Sequence, residues 1–168
     1  MAAQQAPDFT LDHILGHPVS LSNYRRRPVV VTFGGRDSSE QIRQIARTIR
    51  GRYGDEELPM LSVLDLRGVP KLLHSLVRNR LQHGYEEAVQ EATTGMRALG
   101  RPVPQDKSSA IVLLPDWDGA VTQRFGLSGV DRQAVAVLID GDGGIRGYGR
   151  GAQAGEQILA LVDEHRGE

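Results

Sequence analysis

The chain has 168 residues, 39% apolar and 24% charged, with a formal net charge of −1 and no cysteine. That length fits a single domain over residues 1–168, with a core large enough to need neither a disulfide nor a structural metal. The near-neutral balance gives no basis for binding nucleic acid or an anionic membrane, and no apolar run approaches the ~18 residues of a spanning helix.

Phe9-Thr10-Leu11 and Val19-Ser20-Leu21 alternate like short strands, with Gly16-His17-Pro18 punctuating the turn, which predicts a hairpin. Beyond Arg25-Arg26-Arg27-Pro28, the run Val29-Val30-Val31-Thr32-Phe33 predicts a strand buried on both faces. Gly34-Gly35 lead into a helix in which Ile42, Ile45, Ala46 and Ile49 form one stripe and Arg43, Arg47 and Arg50 lie off it. Asp37 with Glu40, or Ser38 with Gln41, has the spacing of a capping box at its start. Met60-Leu61-Ser62-Val63-Leu64 is a second buried strand.

Val69, Leu72, Leu73, Leu76 and Val77 predict a helix with an apolar face, Pro70 suiting its first turn. Tyr85, Ala88, Ala92, Met96 and Leu99 predict a third helix that ends near Gly100. A loop over residues 101–106 precedes a strand at residues 110–114, a turn at Asp116-Trp117-Asp118-Gly119 and a short helix at residues 120–125. Val135-Ala136-Val137-Leu138-Ile139 is a strand whose hairpin partner, Ile145-Arg146-Gly147-Tyr148, follows the glycine-rich turn at residues 140–144. Ile158, Leu159, Leu161 and Val162 place an amphipathic helix at the end. Strands joined by helices run parallel, and the terminal hairpin adds antiparallel strands. The expected fold is therefore a three-layer α/β/α sandwich with a mixed central sheet, an N-terminal β-hairpin and an enlarged helical middle segment.

Ala6-Pro7-Asp8-Phe9-Thr10-Leu11, Val19-Ser20-Leu21-Ser22-Asn23-Tyr24 and Pro28-Val29-Val30-Val31-Thr32-Phe33 resemble, in order and spacing, the opening of the thioredoxin-like redoxins of the alkyl hydroperoxide reductase/thiol-specific antioxidant (AhpC/TSA) group. Phe125-Gly126-Leu127, Val137-Leu138-Ile139-Asp140, Asp142-Gly143 and Ile145 look like the group's closing segment. The match is good at both ends and weak from about Val69 to Lys107. The resemblance implies a thioredoxin-like fold and, in the usual member, thiol redox chemistry. Two departures remove that chemistry. Where the group places its cysteine, this chain has Gly34-Gly35-Arg36-Asp37-Ser38-Ser39-Glu40-Gln41, and a CxxC counted from Phe33 falls on Ser38 and Gln41. Where the group places a cis-proline whose backbone receives extended substrates, this chain has Asp131-Arg132-Gln133-Ala134, so a trans bond is expected. A serine hydroxyl keeps the shape of a thiol but cannot cycle through a disulfide or a sulfenic acid.

The candidate ligand-binding surface is this former active-site loop with the facing segment: Arg36, Asp37, Ser38, Ser39, Gln41, Gln133 and Ala134. Helix capping explains each serine singly. No catalytic residue is assigned, since a serine hydrolase needs a base and an oxyanion hole and no G-x-S-x-G elbow exists. His13, His17, His74, His83 and His165 read as solvated surface residues without metal-site spacing, and no cofactor or metal is expected. The turn at residues 140–144 lacks the glutamate of a calcium loop, because the twelfth position is Gly151. Lys71, His74, Arg78 and Arg80, with Arg67, read as a solvated face balanced by Glu86, Glu87 and Glu91. Trp117 is open between surface and turn anchor.

The leading expectation is a cysteine-less redoxin relative that binds a protein partner or small ligand, with no nucleic acid and no membrane. The rival is an antioxidant or oxidoreductase enzyme of the peroxiredoxin type, which would need a non-thiol group or bound cofactor. A third is assembly through the middle helices; the oligomeric state stays open. The opening Met1-Ala-Ala-Gln-Gln-Ala-Pro-Asp8 has no basic-then-apolar pattern, so it does not read as a secretory signal. Absence of cysteine fits a reducing compartment and also an exported chain whose signal was removed. Cytoplasmic residence is the expectation.

Overall fold

Val29 to Phe33 are β-branched or aromatic, and such a run is stable only when both faces are covered. In the computed structural model, which describes residues 4–166 apart from the side chains of residues 107 and 108, this run is the central strand of the molecule. Five strands form the main sheet: β3 (Val29–Gly34), β4 (Met60–Asp65), β5 (Val112–Asp116), β6 (Val135–Ile139) and β7 (Ile145–Arg150). Their order is β5-β4-β3-β6-β7, with β3, β4 and β5 parallel and β6 and β7 antiparallel to their neighbours. A separate hairpin, β1 (Thr10–Asp12) and β2 (Pro18–Ser20), stands at the outer edge, where the Ile14 amide donates to the Leu113 carbonyl at 2.9 Å.

The period-2 alternation of each strand divides the core. Val29, Val31 and Phe33 pack with Phe9, Leu21 and Phe125 on the face covered by the N-terminal segment and α4 (Ala120–Arg124). Val30, Ala136 and Leu138 pack with Ile45, Ile49 and Ile158 on the face covered by α1 (Ser39–Arg50) and α5 (Ala154–Arg166). Both isoleucine stripes point inward as their spacing predicts, Ile45, Ile49 and Ile158 being fully buried.

The middle segment corrects the sequence reading. One continuous helix, α2 (His74–Ala98), replaces the two expected, entered through a 3-10 turn at Lys71–Leu73. Gly84 lies inside it, because one interior glycine costs only about 1 kcal/mol and no proline intervenes. The helix does end at Gly100, whose φ of 69° lets the Arg101 amide reach the Met96 carbonyl at 2.8 Å. The apolar face expected around Leu72 is not buried: Leu72 is 96% exposed, and Leu73 and Leu76 are also exposed. The buried side of α2 begins about two turns later, with Tyr85 and Val89 against Ile14 and Ala110. Residues 107–110 form a short helix, α3 (Lys107–Ala110), so β5 starts at Val112 rather than Ala110.

Two polar expectations also change. His13 is buried rather than solvated. Its Nδ1 accepts from the Leu15 amide at 3.0 Å, which leaves Nε2 to donate to the Ile111 carbonyl at 3.1 Å. On the basic side of α2, Glu91 pairs with Arg47 of α1 instead of with its own helix. Arg78 lies 5.3 Å over the Trp117 ring and the His74 ring packs against it, tilted by 31° at 4.3 Å, so Trp117 anchors the start of α2 to the β5–α4 turn. No helix among the described residues is long and apolar enough to cross a membrane.

Candidate functional site

The loop after β3 is short because α1 must start at once to cover the sheet. Residues 36–38 make a 3-10 turn and α1 follows from Ser39. Neither capping box forms with the expected partners. Ser38 occupies the N-cap position of α1 without a side-chain bond to that helix. Its hydroxyl turns inward, accepts from the Gly35 amide at 2.9 Å and donates to the Val130 carbonyl at 2.7 Å. The residue is 0% exposed. The hydroxyl satisfies groups that the burial of this loop would otherwise leave without partners, which outweighs a local cap.

Gln41 also reaches across rather than back. Its Oε1 accepts from the Ala134 amide at 2.7 Å and its Nε2 donates to the Arg132 carbonyl at 3.3 Å. The Ala134 carbonyl in turn accepts from the Gly151 amide at 2.8 Å. Both backbone polar groups of Ala134 are thus engaged within the chain. The Asp37 amide lies 3.5 Å from Asp131 Oδ1. The described residues contain no cis peptide bond, so the Gln133–Ala134 bond is trans. The structure therefore brings the two predicted segments together as one hydrogen-bonded junction. Ser38 and Ala134 are buried within it, Gln41 is half-buried as the bridge, and Arg36, Asp37, Ser39 and Gln133 are exposed on its surface.

Among the described residues the Ser38 hydroxyl bonds backbone groups alone. An activated serine needs a basic side chain bonded to its hydroxyl, and Ser38 has the Val130 and Gly35 carbonyls in that place.

A second feature was not read from the sequence. Between α1, α2 and the sheet lies a cavity of about 380 Å³. Its origin is compositional. Thr32, Gly34 and Ser62 are small on the floor, while Gly84, Ala88, Ala92 and Gly95 are small on the helical face above. Of the larger α2 side chains, Tyr85 and Val89 pack toward Ile14 and Ala110, so the gap stays unfilled. Arg43, Arg47, Arg50, Arg80 and Arg101 border it. Arg47 is held by Glu91 at 2.6 Å and by Glu40 at 3.7 Å, Arg50 by Asp55 at 3.3 Å, and Arg101 by the Arg50 carbonyl. Burial raises the Asp55 carboxyl above its ordinary range, and the Arg50 guanidinium offsets part of that rise. The signal in the sequence was the recurrence of Gly or Ala at 84, 88, 92 and 95, a pattern that a packed helix also shows.

No family model matches this sequence, and no curated protein matches it. Solved structures do. The exposed lipoprotein thioredoxin Etrx1 from Streptococcus pneumoniae aligns with a TM-score of 0.64 at 18% identity, covering 94% of this chain and 99% of its own. Peroxidoxin BcpB from Mycobacterium tuberculosis aligns with a TM-score of 0.58 at 17% identity, covering 97% and 96%. DsbF from MTB aligns with a TM-score of 0.56 at 15% identity, covering 93% of each chain. Identities this low speak for architecture alone. The chain has the thioredoxin-like fold of the redoxins, built from a sequence without cysteine.

Proposed function

We propose that this chain is a non-redox member of the AhpC/TSA type of redoxin, a cytoplasmic binding module for a protein partner or small ligand. The observation that carries this is the fate of position 38, where a redoxin-type thiolate would stand. Its hydroxyl is buried and engaged by Gly35 and Val130. An electron-transfer protein needs a reactive, reachable sulfur at that place, and here the atom is an oxygen used to hold the loop together. The exposed Arg36, Asp37, Ser39 and Gln133 offer charged and polar contacts on the surface of the junction. The fold neighbours Etrx1 and BcpB are named as a thioredoxin and a peroxidoxin, which supports the origin of the scaffold rather than its present activity.

Peroxide consumption and disulfide reduction with a thiol reductant test the reading. The expected result is no turnover above the protein-free background. Turnover at about 1 s⁻¹ or faster, the ordinary enzymatic range, would restore the oxidoreductase alternative and require a non-thiol group or cofactor.

A further inference from the structure

A recess of ligand size lies beneath α2, and its chemistry has a direction. At about 380 Å³ it falls within the ~300–1,000 Å³ of small-molecule sites. Ile42, Ala46, Leu81, Ala88 and Met96 give it apolar walls. In the floor Thr32 is only 3% exposed, borders the cavity and has no side-chain hydrogen bond among the described residues. Ser62, its cross-strand neighbour, is likewise without one. The two hydroxyls set polar atoms among the apolar residues of the floor.

The charge around the rim is unevenly satisfied. Glu91, the one carboxylate on the lining, is committed to Arg47. Arg50 and Arg101 are held at the far end by Asp55 and by the Arg50 carbonyl. Arg43 and Arg80 have no ion pair among the described residues. They lie in the second turns of α1 and α2, helices that start beyond the carboxyl ends of β3 and β4, so both unmatched cations stand toward the same end. Guanidinium groups beside an apolar recess hold a carboxylate well, and they repel a cation.

We infer that the α1–α2 cavity binds a small apolar carboxylate, its hydrocarbon body between Ala88, Met96 and the sheet and its anionic group at Arg43 and Arg80. The site gives the binding-module reading a ligand class and rests on that reading.

Displacement of the reporter 1-anilinonaphthalene-8-sulfonate by decanoate, decanol and decylammonium tests it on the intact chain. The reporter should bind saturably, one per chain. Decanoate should displace it at about tenfold lower concentration than decanol, one ion pair's worth of affinity, and decylammonium should be weakest. Arg43→Gln with Arg80→Gln should abolish the preference for decanoate over decanol. Ala88→Leu and Ala92→Phe, made separately in case one fails to fold, should block all three ligands in a protein of unchanged circular dichroism. Equal displacement by decanoate and decanol in the parent chain, undiminished binding in a folded filling variant, or no saturable reporter binding would each overturn the site. Peroxide consumption in the same samples keeps the two readings apart: turnover there defeats the non-redox claim, whereas failed displacement alone defeats only the ligand class.

Discussion

At the Ser38 junction and beneath α2 the chain uses small residues to opposite ends. Gly35 is needed for contact: a Cβ added there would lie 2.5 Å from Asp131 Oδ1 and 2.8 Å from Asp131 Cα. Its φ of −143° is open to any residue, so the requirement is close approach and not backbone conformation. Gly84 and Gly95 face the reverse situation, since a Cβ at either would meet nothing within 4 Å. The same side chain, absent in both places, closes one region and hollows the other. The loop after β3 is thus fastened to the facing segment, and a cavity of ligand size lies a helix away.

The largest effect should come from the closed region. Gly35→Ala should destabilise by about 2–3 kcal/mol, the range for overpacking, because the new methyl meets Asp131 backbone that cannot rotate away. Chemical denaturation measures it, and a loss under about 0.5 kcal/mol, an ordinary surface effect, would mean the two segments are not in contact. The open region should respond with the other sign. Gly84→Ala and Gly95→Ala should each raise stability by about 1 kcal/mol, the helix-propensity difference, with no steric offset. Destabilisation by both would show that α2 sits tighter on the sheet than the cavity allows.

The smallest effect concerns the anchor that holds α2 over the gap. The Tyr85 hydroxyl donates to the Ile111 carbonyl at 2.9 Å. Burial, with the Asp106 carboxylate adding to it, pushes the Tyr85 hydroxyl up to about 12 from an ordinary 10.0. The unfolded chain therefore loses this proton first. The stability from the protonated form is complete below pH 10 and declines as pH rises from there toward about 12. Tyr85→Phe should cost about 1 kcal/mol at neutral pH, one hydrogen bond, and should flatten that alkaline decline. An unchanged decline in the variant would place its source elsewhere.

The main sheet and its two isoleucine stripes were legible in the sequence because period-2 and period-3.6 patterns report burial directly. The meeting of the loop after β3 with Gln133-Ala134 was legible as well. The direction of the Ser38 hydroxyl was not, since its acceptor Val130 lies 92 residues away and a cap is the local default. His13 escaped for the same reason, as its Nε2 partner Ile111 is 98 residues distant. Leu72 and Leu76 show the converse limit. Helical spacing marks an apolar face without saying whether anything covers it, and here both are exposed. The cavity was hidden because Ala88 and Ala92 are equally at home in a filled core and above an empty one.

The central claim, that the reactive position of the fold has become an internal fastening, is tested by comparing thiol labelling in Ser38→Cys and Ser39→Cys. Ser38 is 0% exposed and its neighbour Ser39 is exposed, so one chain provides both the test and its control. With iodoacetamide under native conditions, followed by mass spectrometry, the thiol at position 38 should react at least about 100-fold more slowly than that at 39, because it must wait for local opening. Comparable rates at the two positions in folded protein would contradict the account, since a thiol reachable at 38 would mean that the loop after β3 is open.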